Sequence, residues 1–143
     1  MVLPMDPRRI LLLTLLPVAL TVAPGCFPPL PNAPAFQRTD AFCDTDDNWN
    51  LFAEVTHEDG PQAVQAVYVE VGLAFRDEND EPYTEGAIGD PVDLARVPGT
   101  EDEWSAQVES RPDFLDCAYG FEYYLLFVAE DEEGDQAGRT VIN

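Results

Sequence analysis

A chain of 143 residues, 45% of them hydrophobic, has room for one globular domain besides any export signal. Its 28 acids against 7 bases give a formal charge of −21, which excludes electrostatic binding to nucleic acid or to an anionic membrane surface. The charge suits a salty compartment whose counterions screen self-repulsion, and most of the acids are expected on a solvated surface.

Arg8 and Arg9 open a positive segment, and Ile10 through Val22 form an apolar run too short to span a bilayer as a helix. Residues 1–25 therefore read as a signal peptide. Residues flanking the arginine pair do not match a twin-arginine signal. The stretch Val22-Ala23-Pro24-Gly25-Cys26 resembles a bacterial lipobox, in which small residues precede a cysteine that is diacylated and becomes the new N-terminus. Pro24 departs from that pattern, and an ordinary secreted thiol at 26 is the alternative. The resemblance implies lipidation of Cys26 and placement in the bacterial cell envelope, with the membrane as a partner through the lipid anchor. Phe27 stands where an inner-membrane lipoprotein carries aspartate, which favours the outer membrane. Three cysteines are an odd number for a secreted chain. With Cys26 lipidated, Cys43 and Cys117 remain to form a disulfide in an oxidising compartment.

Residues 26–37 carry Pro28, Pro29, Pro31 and Pro34, a composition that prefers extended polyproline II and reads as a stiff tether. From residue 38 the pattern has period two. Trp49, Leu51, Ala53 and Val55 alternate with more polar neighbours, and a turn follows at His57–Pro61. Val67, Val69, Val71, Leu73 and Phe75 continue the alternation. A long acidic connection over 76–98 precedes Trp104, Ala106 and Val108. The last long strand holds Tyr123, Leu125, Phe127 and Ala129. Such alternation predicts strands with one face on a core. The other face of that strand is also apolar (Tyr124, Leu126, Val128) and is expected to be partly covered. No amphipathic helix follows residue 26, so the fold class is all-β.

The run Tyr123-x-Leu125-x-Phe127-x-Ala129-x-Asp131-x-x-Gly134-Asp135 resembles the penultimate strand and turn of bacterial immunoglobulin-like and fibronectin type III-like domains. Gln136–Ile142 would be the final strand. Leu51-x-Ala53-x-Val55, the Val67–Val71 strand and Trp104-Ser105-Ala106-x-Val108 are similar to earlier strands of the same modules. The resemblance implies a single immunoglobulin-like β-sandwich over 38–143, an architecture that hosts many functions. Cys43, expected before the first strand, and Cys117, before the long one, are not spaced like the inter-sheet pair of antibody domains. Their bond would staple the leading segment to the turn into the long strand.

Catalytic chemistry is thinly supplied. His57, the only histidine, is expected exposed in its turn, and neither Ser105 nor Ser110 sits in a nucleophile-elbow spacing. Zinc would need more His or Cys ligands, and Cys-x-x-Cys and glycine-rich phosphate loops are absent from the sequence. Calcium is the one site hypothesis. Asp44-x-Asp46-x-Asn48 opens like an oxygen-ligand loop, although Trp49 and Val55 replace the glycine and glutamate of an EF-hand. Asp77-Glu78-Asn79-Asp80-Glu81 and the run from Asp131 to Asp135 form two further clusters, and loops at one end of a sandwich can share a cation. The expected function is a non-catalytic binding or structural module of a cell-envelope lipoprotein, without an intrinsic cofactor, facing a protein or glycan partner. A calcium-dependent adhesion or sensing domain is the alternative, and a hydrolase accessory unit the third reading.

Overall fold

The computed structural model describes residues 32–118 and 120–143. The expected signal peptide, Cys26 and the tether through residue 31 lie outside these. Among the described residues the fold is all-β and antiparallel. The strands are β1 (Ala35–Cys43), β2 (Asn48–Thr56), β3 (Val64–Leu73), β4 (Phe75–Arg76), β5 (Pro82–Tyr83), β6 (Val92–Arg96), β7 (Glu103–Glu109), β8 (Tyr123–Asp131) and β9 (Gln136–Ile142). A single 3-10 turn at Pro61–Ala63 leads into β3.

Seven strands join in the order β1-β2-β7-β6-β3-β8-β9, and β4 with β5 makes a separate hairpin. The sheet folds back on itself at β6. Its first half pairs with β3 (Val69↔Val92, Val67↔Leu94) and its second half with β7 (Ala95↔Ser105, Arg96↔Trp104). The layer β1-β2-β7 thereby lies across from β3-β8-β9, an arrangement consistent with a β-sandwich. The outermost strands meet on the open side, where Arg139 of β9 donates to the Phe36 and Gln37 carbonyls of β1.

Period-two patterning builds the core as expected. Leu51, Ala53 and Val55 face Val67, Val69 and Val71 and Leu125, Phe127 and Ala129, all essentially inaccessible. Burying a side chain the size of Leu125 or Phe127 stabilises the fold by about 1.5–3 kcal/mol each. Trp49 of β2 meets Tyr123 of β8 edge to face, with ring centroids 5.4 Å apart, which ties the two layers directly.

Three strands were not foreseen, among them the two-residue β5, which lies with β6 inside the expected acidic connection. β1 begins at Ala35, inside the segment read as tether and ahead of the boundary at 38, and only Ala41 of its nine residues is buried. β6 crosses the expected acidic connection with Leu94 as its only buried residue. The reverse also occurs: Leu73 and Phe75 keep the alternation of β3 yet are exposed, because the core ends at Val71. The second apolar face of β8 is partly covered. Val128 is buried, and residues 84–87 lie beside Tyr124 and Leu126. Gly72 allows this approach, since a Cβ there would collide with the Thr84 hydroxyl and the Gly86 carbonyl.

Candidate functional site

The strand directions give the molecule two ends. The near end, where β1 starts, gathers the turn after β2, the turn between β6 and β7, and the turn after β8. The far end gathers residues 44–47, the β4–β5 hairpin and the 110–122 segment. β2 alone, nine residues long, sets them about 30 Å apart.

The far end is closed covalently. Cys43 and Cys117 form a disulfide with their Cα atoms 5.8 Å apart, an ordinary separation for such a bond. Cys43 is the last residue of β1 rather than part of a leading segment, so the bond fastens a strand end to the stretch before β8. Phe114 and Leu115 of that stretch plug the far end of the core. Tyr123 accepts a hydrogen bond on its hydroxyl from the Asp116 amide at 2.7 Å, and burial pushes its phenol above the ordinary value.

The acidic clusters considered as cation ligands are hairpin turns with one shared design. Asp44 Oδ1 accepts the amides of Asp46 and Asn48. Asp77 Oδ1 accepts those of Asn79 and Glu81, and Asp131 Oδ1 those of Glu133 and Asp135. The fourth residue of each turn is left-handed: Asp47 at φ 58°, Asp80 at φ 65°, Gly134 at φ 86°. This is hairpin chemistry, in which the aspartate carboxylate substitutes for backbone acceptors. It holds all three carboxyls below their usual range. For Asp44 the Asn50 amide contributes most, followed by the Asn48 amide. For Asp77 the leading donors are the amides of Glu81 and Asn79. For Asp131 burial pushes upward, and the Asp135 amide, His57 and the Glu133 amide together outweigh it.

The expectation of one shared calcium site is corrected by this layout. Asp44, Asp46 and Asn48 lie at the far end, and Asp131 and Asp135 at the near end. Among the described residues, no group of three or more His, Cys, Asp or Glu side chains is arranged to hold a metal ion. The spacing that resembles a cation loop is the spacing of the turn itself.

His57 is a second correction. Its side chain is 3% exposed rather than solvated. Nδ1 accepts the Asp59 amide at 3.1 Å, which assigns the ring proton to Nε2, and Nε2 donates to Asp131 Oδ2 at 3.2 Å. The pair links the turn after β2 to the turn after β8 across 74 residues of sequence. Beside it, Arg96 stacks over Trp104 at 4.4 Å and donates to the carbonyls of Pro61, Val64 and Glu101. Both groups close the near end; each points its hydrogen-bonding atoms at the protein itself.

The near end also holds a cleft of about 560 Å³ lined by Pro61, Gln65, Arg96, Thr100 and Trp104, and the buried Trp104 indole N–H has no hydrogen-bond partner among the described residues. The exposed large apolar side chains lie at the far end. Phe42, Leu73, Phe75, Tyr83 and Phe121 are 37–55% exposed. Leu73 pairs with Tyr123, and the Ala74 amide donates to the Glu122 carbonyl, which brings the stretch holding Phe121 to the end of β3. Phe75 also packs on Tyr83, with centroids 5.7 Å apart. A cleft of about 250 Å³ opens next to this row, lined by Leu73, Phe75, Ala87 and Ile88 with Glu85 at its side. The sequence did carry a signal for part of it: the alternation of β3 runs two residues past the end of the core. Phe121 likewise extends the alternation of β8, two residues ahead of Tyr123.

Comparison with protein-family models, with curated proteins and with solved structures finds no match to this chain.

Proposed function

We propose that the chain is a bacterial cell-envelope lipoprotein, anchored by acyl chains on Cys26 and facing away from the cytoplasm, in the outer membrane of a Gram-negative host. Its immunoglobulin-like or fibronectin type III-like β-sandwich serves as a non-catalytic binding or structural module. The observation that carries this reading is the Cys43–Cys117 bond. It calls for an oxidising compartment, and it engages two of three cysteines, leaving the thiol at 26 for acylation. Two or three acyl chains give stable anchoring where one would not.

The immunoglobulin-like assignment is supported by the strand order and by the hydrogen bond from the Asp116 amide to the hydroxyl of Tyr123, which begins β8. A tyrosine at the matching strand start in these folds bonds back to backbone upstream in the same way. A non-catalytic role is supported by His57, whose ring nitrogens are both engaged within the fold. The calcium-dependent alternative gains no support from the turns, which sit a strand length apart.

Anchoring is tested by intact-mass measurement on protein extracted from membranes. The expected product starts at Cys26 and carries added acyl mass, and a Cys26→Ala variant leaves the membrane fraction. An unprocessed, unmodified N-terminus on the membrane-extracted protein would refute the anchor.

A further inference from the structure

We propose that the far-end row Tyr83–Phe75–Phe121, with the cleft beside Leu73, is a docking surface for a partner protein segment that combines apolar side chains with Lys or Arg. The proposal deepens the binding-module reading above and rests on it. Contiguous exposed apolar surface rimmed by charge marks an interaction site more often than chance exposure does. Here the exposed large apolar side chains of the described residues collect at one end, where Phe75 packs on Tyr83 across the β4–β5 hairpin and Phe121 leads into β8, the partner of β3.

Three occupants can be weighed on charge. Residues 75–90 hold Asp77, Glu78, Asp80, Glu81, Glu85 and Asp90 against Arg76, which is itself paired with Glu122 and Asp80. A second copy of the chain would bring two such acidic rims together, and like charges oppose that contact. An anionic membrane is disfavoured for the same reason. A basic, apolar segment satisfies both the aromatic row and the acidic rim. It would set its apolar side chains against Phe75, Phe121 and Leu73, and its cations toward Glu85 and the 77–81 turn.

The test uses the isotope-labelled full chain and three synthetic peptides. One alternates Arg with Phe and Leu; the second replaces each Arg with Glu; the third replaces each apolar residue with Ser. The first peptide is expected to shift the amides of Leu73, Phe75, Ala87, Ile88 and Glu122, while the other two leave them in place at equal concentration. A Phe75→Ser/Phe121→Ser variant should bind the first peptide about tenfold more weakly or worse, with melting close to the parent's. Equal binding of the serine peptide would reduce the effect to bulk charge, and equal binding of the glutamate peptide would reduce it to apolar adhesion. Shifts confined to the outward sheet face around Phe42 and Phe52 would move the site elsewhere. Concentration-dependent dimers abolished by Phe75→Ser/Phe121→Ser would name a second copy as the occupant. Any of these results overturns the surface proposed here while leaving the Cys26 anchor, read by mass, to stand or fall separately.

Discussion

The two ends of this domain are finished differently. At the near end, polar groups close the structure. His57 and Asp131 bridge two turns from inside, and Arg96 gathers three backbone carbonyls while lying flat on Trp104. At the far end a covalent bond and the Phe114–Leu115 plug close the core, and a row of aromatic side chains stays outside it. The lesson is one of available chemistry. The His57–Asp131 pair and the Arg96 guanidinium are engaged inside the fold, although the Trp104 indole N–H beneath Arg96 has no partner among the described residues, whereas the far end keeps apolar side chains in solvent.

Experiments can break that contrast, beginning with the largest effect. A Cys43→Ser/Cys117→Ser variant opens a loop of 74 residues and should lose about 4 kcal/mol. Hydrogen exchange should rise in 110–122 and at the end of β1, with near-end amides little changed. Uniform loss over both ends would show that they are not separately secured. Arg96→Ala leaves the Pro61, Val64 and Glu101 carbonyls without their charged donor and should cost about 2 kcal/mol, read by denaturant unfolding. A cost near zero would place the closure of the near end elsewhere. Gly134→Ala forces a side chain into left-handed backbone and should cost about 1 kcal/mol.

The aspartate turns add a dependence on pH. Asp44, Asp77 and Asp131 each have a folded carboxyl held below its ordinary value of 3.8. The unfolded chain therefore binds protons more readily than the folded one. The turns' contribution is fully present above about pH 4 and is lost as pH falls through the folded values. Melting followed from neutral pH into acid should show Asp131→Asn with a shallower acid decline than the parent. An unchanged decline would mean the Asp131 carboxylate does not stabilise the fold. The smallest effect is expected at the exposed row, where Phe121→Ser should change stability by no more than about 0.5 kcal/mol. A large loss there would make Phe121 part of the core rather than a surface.

Legibility in the sequence followed burial. β2, β3 up to Val71 and β8 alternate because every second residue faces the core, so their pattern is written in the residue types. β1 and β6 each bury a single residue and are held by ladders to their neighbours, so composition carries almost no trace of them. The Cys43–Cys117 bond was legible from counting once position 26 was assigned to lipid. The burial of His57 was not, since its partner lies 74 residues away and no local pattern links the two. The acidic clusters of 44–48 and 131–135 that suggested calcium lie at opposite ends, which rules out a shared cation, and the reason they suggested one is instructive. Carboxylates spaced to wrap a cation are also spaced to receive the amides of their own turn, and sequence does not distinguish these uses.

The meeting of β1 with β9, together with the disulfide that ends β1, has a mechanical consequence. Following the antiparallel neighbours around the sheet, these two strands run in the same direction, the first leaving the near end and the last finishing beside Tyr123 at the far one. A tensile load applied between Ala35 and a molecule gripped at Phe121 would run lengthwise along β1 to Cys43 and cross the disulfide to Cys117, four residues before Phe121. The pull would be borne by covalent bonds along an already extended strand, and only after reduction of the disulfide would the ladder hydrogen bonds carry it.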